Sequence, residues 1–182
     1  SAYMMQVHRA RALILLGRPA EAVPLMEELL STYRGAGRVG ISTPTSVLGQ
    51  AQRLMGRPAD ALATQQRALQ AVSPGARAER QRARVLIEIG FGLLALQRPA
   101  EARPPLTEAL ETLQRKYRVH TPDHAAAWLA QGRLELAEHK PQQALPSLLT
   151  ADAFWQSFDA QTRWAGEAAY WRACAHADMG QT

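Results

Sequence analysis

Apolar residues recur along this chain at the spacing of one helix face, and the same short polar turn interrupts them at regular intervals. Met4, Val7, Ala10, Ile14 and Leu15 mark a first helix over residues 3–16. The turn Gly17-Arg18-Pro19-Ala20-Glu21-Ala22 ends it and opens a second helix that runs to about Tyr33. The turn returns as Gly56-Arg57-Pro58-Ala59-Asp60-Ala61, as Gln97-Arg98-Pro99-Ala100-Glu101-Ala102, and more loosely as His139-Lys140-Pro141-Gln142-Gln143-Ala144. Glycine suits the left-handed residue that closes a helix, and proline suits the first position of the next, where no amide hydrogen is needed. The acidic residue then faces the positive end of the helix dipole. Each copy reads as a helix-turn-helix hairpin, and a period of roughly 40 residues signifies a repeat array. One hairpin cannot bury its apolar stripe alone, so the fold class expected is all-α, a solenoid of stacked antiparallel hairpins.

The remaining punctuation sets approximate repeats at 3–42, 43–76, 77–120 and 121–160, with a half repeat at 161–182. Thr43-Pro44 reads as a cap and first-turn proline, and Thr121-Pro122-Asp123 repeats that start. Pro104 and Pro105 fall inside the second helix of repeat three, where a bend is expected. A last helix over about 162–179 stands without a partner helix and should leave an apolar face open. Ser1-Ala2 and the stop at Thr182 suggest a piece of a larger protein.

These residues resemble the tetratricopeptide repeat, and specifically its longer-period form seen in kinesin light chains. Aligned on Ala22, Ala61, Ala102 and Ala144, the second-helix alanines of that pattern fall on Ala68, Ala109 and Ala151, with Leu29 departing. Its small first-helix residue falls on Ala10, Gly49, Gly90, Gly132 and Ala173. Trp128 holds the tryptophan position of the fourth copy, and Gln6, Thr45, Leu86 and Ala169 replace it elsewhere. His120-Thr121-Pro122-Asp123 is similar to the helix entry of the light-chain type. The resemblance implies a right-handed superhelix whose first helices line a concave groove for a protein segment. On the family's ligand-touching positions stand Arg11, Ser46, Gln50, Arg53, Arg84, Ile87, Phe91, Leu129, Arg133 and Tyr170. The family's groove asparagine and its carboxylate clamp are absent, which argues against recognition of chaperone C-termini. Guanidinium forks beside apolar and aromatic groups suit an extended segment with acidic and hydrophobic residues.

Composition adjusts this picture in a few places. Aromatics are only 6% of the 182 residues against 47% apolar overall, a balance that suits closely packed helices. A single cysteine, Cys174, excludes an internal disulfide framework and favours a reducing, cytoplasmic setting. No apolar run is long enough to cross a bilayer, so no membrane role is expected. The net charge of +5 raises the prospect of an acidic partner without choosing one.

Candidate chemistry is thin. His120, Asp123 and His124 are metal-capable neighbours, but helix capping explains them better than a metal site. Gly35, Gly37 and Gly40 have the spacing of a phosphate-cradling loop, yet they follow a helix rather than a strand. Cys174 reads as a packed thiol, with His176 on another side of its helix. Arg77, Arg80 and Arg84 share one helix face that could meet phosphates, although a solvated face is the better reading. Trp155, Trp164 and Trp171 read as packing between the last two repeats. No catalytic, cofactor or metal residues are therefore assigned, and an enzyme is not expected. The expected role is a protein-binding scaffold within a bacterial signalling or regulatory protein. A homodimer through the terminal half repeat and arginine-mediated nucleic-acid binding stand as alternatives.

Overall fold

The computed structural model describes residues 2–33 and 40–180, and among these the chain is helices and turns only. Four hairpins follow one another: α1 (Ala2–Leu15) with α2 (Pro19–Tyr33), α3 (Ser42–Leu54) with α4 (Pro58–Gln70), α5 (Ala78–Ala95) with α6 (Pro99–Lys116), and α7 (Pro122–Ala137) with α8 (Pro141–Asp159). A ninth helix, α9 (Arg163–Asp178), follows as the first helix of a further unit. Each second helix packs on its own first helix and on the next one, while α1, α3, α5, α7 and α9 also touch in succession. The first helices thus form an inner layer and the second helices an outer one. This is the all-α solenoid that the hairpin period implied.

The recurring turn holds four times with the same hydrogen bonds. Arg18 N donates to Leu13 O at 2.8 Å and Gly17 N to Ile14 O at 3.1 Å; the pair returns as Arg57 to Gln52 and Gly56 to Arg53, both at 3.0 Å. The third and fourth copies are Arg98 to Leu93 at 2.9 Å with Gln97 to Leu94, and Lys140 to Glu135 at 2.8 Å with His139 to Leu136. These bonds satisfy carbonyls that the helix end would leave open. The closing residue is left-handed in every copy: Gly17 at φ 72° and Gly56 at φ 74°, but also Gln97 at φ 57° and His139 at φ 60°. Three turns add an exposed ion pair, Arg18 with Glu21, Arg57 with Asp60 and Arg98 with Glu101.

Packing explains the small residue at the centre of each first helix. A Cβ added to Gly90 would run into Leu106, one added to Gly132 into Leu148, and one added to Gly49 into Gln65. Ala10 is fully buried at the equivalent place, while Ala173 on α9 is exposed. Repeat two differs from the others inside. Ser42, Thr45, Ser46, Gln52, Thr64 and Gln65 are all buried there, and the apolar core divides around them. One cluster runs from Val7 to Ala51 and the other from Leu62 to Ala175.

Some local readings change. Helix α3 starts at Ser42 with Ile41 at the cap position, so Thr43 does not cap it; Ser42 Oγ instead donates to Ala68 O at 2.8 Å. Pro104 and Pro105 do not interrupt α6, which continues through them to Lys116. Pro24 and Pro146 lie at the position matching Pro104 in α2 and α8, and all three face outward, where water serves the carbonyl left unpaired. Gly35 and Gly37 lie outside the described residues.

Candidate functional site

The inner helices bound a groove that holds a cavity of about 250 Å³. Its walls come from four first helices: Arg11, Ile14 and Leu15 of α1, Ser46, Val47 and Gln50 of α3, Arg84, Ile87 and Glu88 of α5, and the start of α7 at Pro122 and Asp123. Trp155 from the end of α8 and Trp164 from the start of α9 close it. Their rings stack, with centroids 5.9 Å apart and planes at 11°. Trp155 belongs to an outer-layer helix and reaches the groove because α8 runs on to Asp159.

Two carboxylates organise the arginines. Asp123 accepts from Arg80 Nε at 2.7 Å and from Arg84 Nε at 2.8 Å. Glu88 accepts from Arg53 Nε and Gln50 Nε2, both at 3.1 Å. Arg80 and Arg84 are therefore bound to a carboxylate rather than presented together to phosphates. Arg11 differs, because it is largely enclosed and donates no hydrogen bond among the described residues. Burial, and then the nearby Arg84, push its pKa down, while Asp123 and Tyr3 oppose the change.

A second line of groups crosses the groove behind the cavity. The Arg53 guanidinium lies 4.8 Å from the Phe91 ring, Arg133 lies 5.2 Å from the same ring, and Arg133 is 4.7 Å from Trp171. Arg133 is held between two aromatic faces, an arrangement that stabilises a desolvated cation. Burial pushes its pKa down to about 10, with Glu167 acting upward and Arg53 and Arg163 downward, so it stays charged at neutral pH.

The structure thus separates the expected groove residues into three groups. Arg11, Ser46, Gln50, Arg84 and Ile87 meet at the cavity. Arg53, Phe91 and Arg133 form the cation-aromatic line, in which Phe91 is fully buried and offers no surface to a ligand. Leu129 is likewise fully buried in the core, and Tyr170 is 61% exposed and does not line the cavity. Glu88 was missed, since it pairs with residues a whole repeat away and carries no local signal.

The other candidates resolve into structural roles. His124 is buried; Nδ1 accepts from Thr121 N at 3.2 Å and Nε2 lies 3.2 Å from Leu113 O. It closes a capping box with Thr121, so the helix-cap reading holds with His124 where Asp123 was expected. The His120 ring packs edge-on against Trp128 at 4.8 Å. Among the described residues no group of three His, Cys, Asp or Glu side chains is placed to hold a metal. Cys174 is a free, half-buried thiol packed against the main core beside Trp171 and Trp164. Among the described residues no helix is long and apolar enough to cross a membrane.

Comparison with known proteins follows the same lines. Residues 1–72 match the tetratricopeptide repeat family. No curated protein matches the chain. Among solved structures, a protein from Podosopora anserina described as a kinesin light chain with nearly identical TPR-like repeats superposes with a TM-score of 0.69 at 19% identity, covering 97% of this chain and 86% of that one. A variant of that protein gives 0.70 at 18% identity, with the same coverage. BtubC (BKLC) from P. vanneervenii gives 0.66 at 17% identity over 98% of this chain and 82% of its own. At these identities the superpositions speak for the fold, and the sequence match speaks for the repeat itself. Together they show tetratricopeptide repeats over residues 1–72 and, for the chain as a whole, a fold similar to that of the kinesin-light-chain-like TPR arrays.

Proposed function

We propose that this chain is an interaction scaffold that holds an extended segment of a partner protein, acidic and apolar in character, along its concave groove. Tetratricopeptide repeats generally serve as protein-binding scaffolds, which supports the broader part of this reading. The observation that carries the finer part is Arg11, a largely enclosed guanidinium with no hydrogen-bonded acceptor among the described residues, facing a cavity whose walls join polar and charged groups to apolar and aromatic ones. An acidic group from outside would give this guanidinium the charge-assisted hydrogen bonds it lacks. We place the scaffold in the cytoplasm, within a bacterial signalling or regulatory protein.

The test is capture from a nuclease-treated lysate on the immobilised chain, followed by binding of peptides from whatever is retained. Arg11→Ala combined with Gln50→Ala is the informative variant, since Arg53 and Arg133 also hold the helices together. A retained protein whose acidic peptide binds the wild type and is weakened about tenfold or more by the double variant supports the groove. Retention indifferent to both substitutions sinks it.

A further inference from the structure

The cavity in the groove joins charged, aromatic and apolar walls. Two guanidinium groups, those of Arg11 and Arg84, and two carboxylates, Asp123 and Glu88, line it, and each carboxylate is already engaged: Asp123 by Arg80 and Arg84, Glu88 by Arg53. Arg11 is left with its donors free among the described residues. A second donor is idle nearby: Trp155 lines the cavity, is 4% exposed, and its Nε1–H is buried without an acceptor. Burying the indole N–H unpaired costs free energy, and Arg11 adds donors with no hydrogen-bonded acceptor among the described residues, so the cavity favours an acceptor supplied by a ligand. Ile14, Val47, Ile87 and the parallel rings of Trp155 and Trp164 supply the apolar remainder.

We propose that this cavity binds a free aromatic carboxylate, a flat monoanionic acid whose carboxylate rests on Arg11 and whose ring lies against Trp155 and Trp164. Size selects a small molecule: about 250 Å³ lies below the span of roughly 300–1,000 Å³ common for drug-sized ligands. Charge favours a single negative group, because Arg11 alone among these arginines has no carboxylate bonded to it, while Asp123 and Glu88 on the same wall repel further negative charge. The parallel indoles favour a planar body, which stacks at little conformational cost. The inference goes beyond the scaffold reading, since such an acid needs no partner protein.

The test titrates the full chain with 1-naphthoate and indole-3-carboxylate, following tryptophan fluorescence and calorimetry, with 1-naphthamide and inorganic phosphate as controls. Saturable one-to-one binding of the two acids is expected at roughly 0.1–1 mM, with both controls at least tenfold weaker. Arg11→Gln should weaken the acids about tenfold or more, and Trp155→Phe, which keeps an aromatic wall and removes the N–H, by about threefold or more. Circular dichroism checks that each variant is folded. Leu15→Glu, at a half-exposed wall position, places a repelling charge at the cavity without touching the core and should also abolish binding. No saturation by about 10 mM, equal binding of the amide or phosphate, or indifference to both Arg11→Gln and Leu15→Glu overturns the proposal. Acidic peptides that bind while the free acids do not overturn it as well, and leave the scaffold reading standing.

Discussion

Gln97 and His139 bear the left-handed conformation that Gly17 and Gly56 adopt in the other two turns. A side chain costs about 1 kcal/mol or more in that region, partly recovered because a non-glycine restricts the unfolded chain. Gln97→Gly and His139→Gly are each expected to raise stability by ~0.5–1 kcal/mol, measured by urea denaturation. His124 makes the opposite demand, because its Nδ1 must stay unprotonated to accept from Thr121 N. Burial lowers its pKa first of all; His120 and Arg80 add to this, while the Leu113 carbonyl and Asp123 oppose it. With the folded pKa below the unfolded value near 6.5, its contribution is complete above that pH and is lost as the pH falls through the folded-state pKa. Stability should therefore decline with acidity below about pH 6.5, by at most about 1.4 kcal/mol per pH unit from this residue, and that slope should vanish in His124→Gln.

The second, third and fourth hairpins interlock through a glycine of the first helix and a large side chain of the second. Gly90→Ala, forced against the buried Leu106, is expected to cost ~1–3 kcal/mol, whereas Gly166→Ala, with no atom within 4 Å of its Cβ, should gain ~0.5–1 kcal/mol in the same thermal unfolding assay. Equal effects at the two sites would contradict the interlock. The helices themselves were legible in the sequence, because Gly17, Pro19, Gly56, Pro58, Pro99 and Pro141 punctuate them at their ends. The groove was legible in part. Equivalent positions brought Arg11, Gln50 and Arg84 together, but Phe91 and Leu129 are buried in the core, and such burial is not written in a repeat's own spacing. Trp155 at the cavity depends on how far α8 extends, which no single repeat reveals.

Across the whole molecule the core is two bodies of apolar contact joined through a polar repeat. Gln65 stands where Met26, Leu106 and Leu148 stand in the other copies; Nε2 bonds Ser46 O at 2.8 Å, but Oε1 is buried with no partner. Gln65→Leu should bridge the two bodies and raise stability by ~1–2 kcal/mol. Hydrogen exchange should show α1 and α2 opening before α5 to α8 in the wild type, and the two regions converging in the variant. Separate opening that persists unchanged after the substitution would place the weak joint elsewhere.

Because all four turns close with the same pair of backbone bonds, any two are interchangeable as splice points. A chain in which Gly56 is followed directly by Arg98 would read through one intact turn, set α3 against α6, and lose α4 and α5 with the buried Thr64 and Gln65. Length in such an architecture is a setting rather than a constant: the groove can be shortened by one unit while every junction keeps a bonding pattern already present in the molecule.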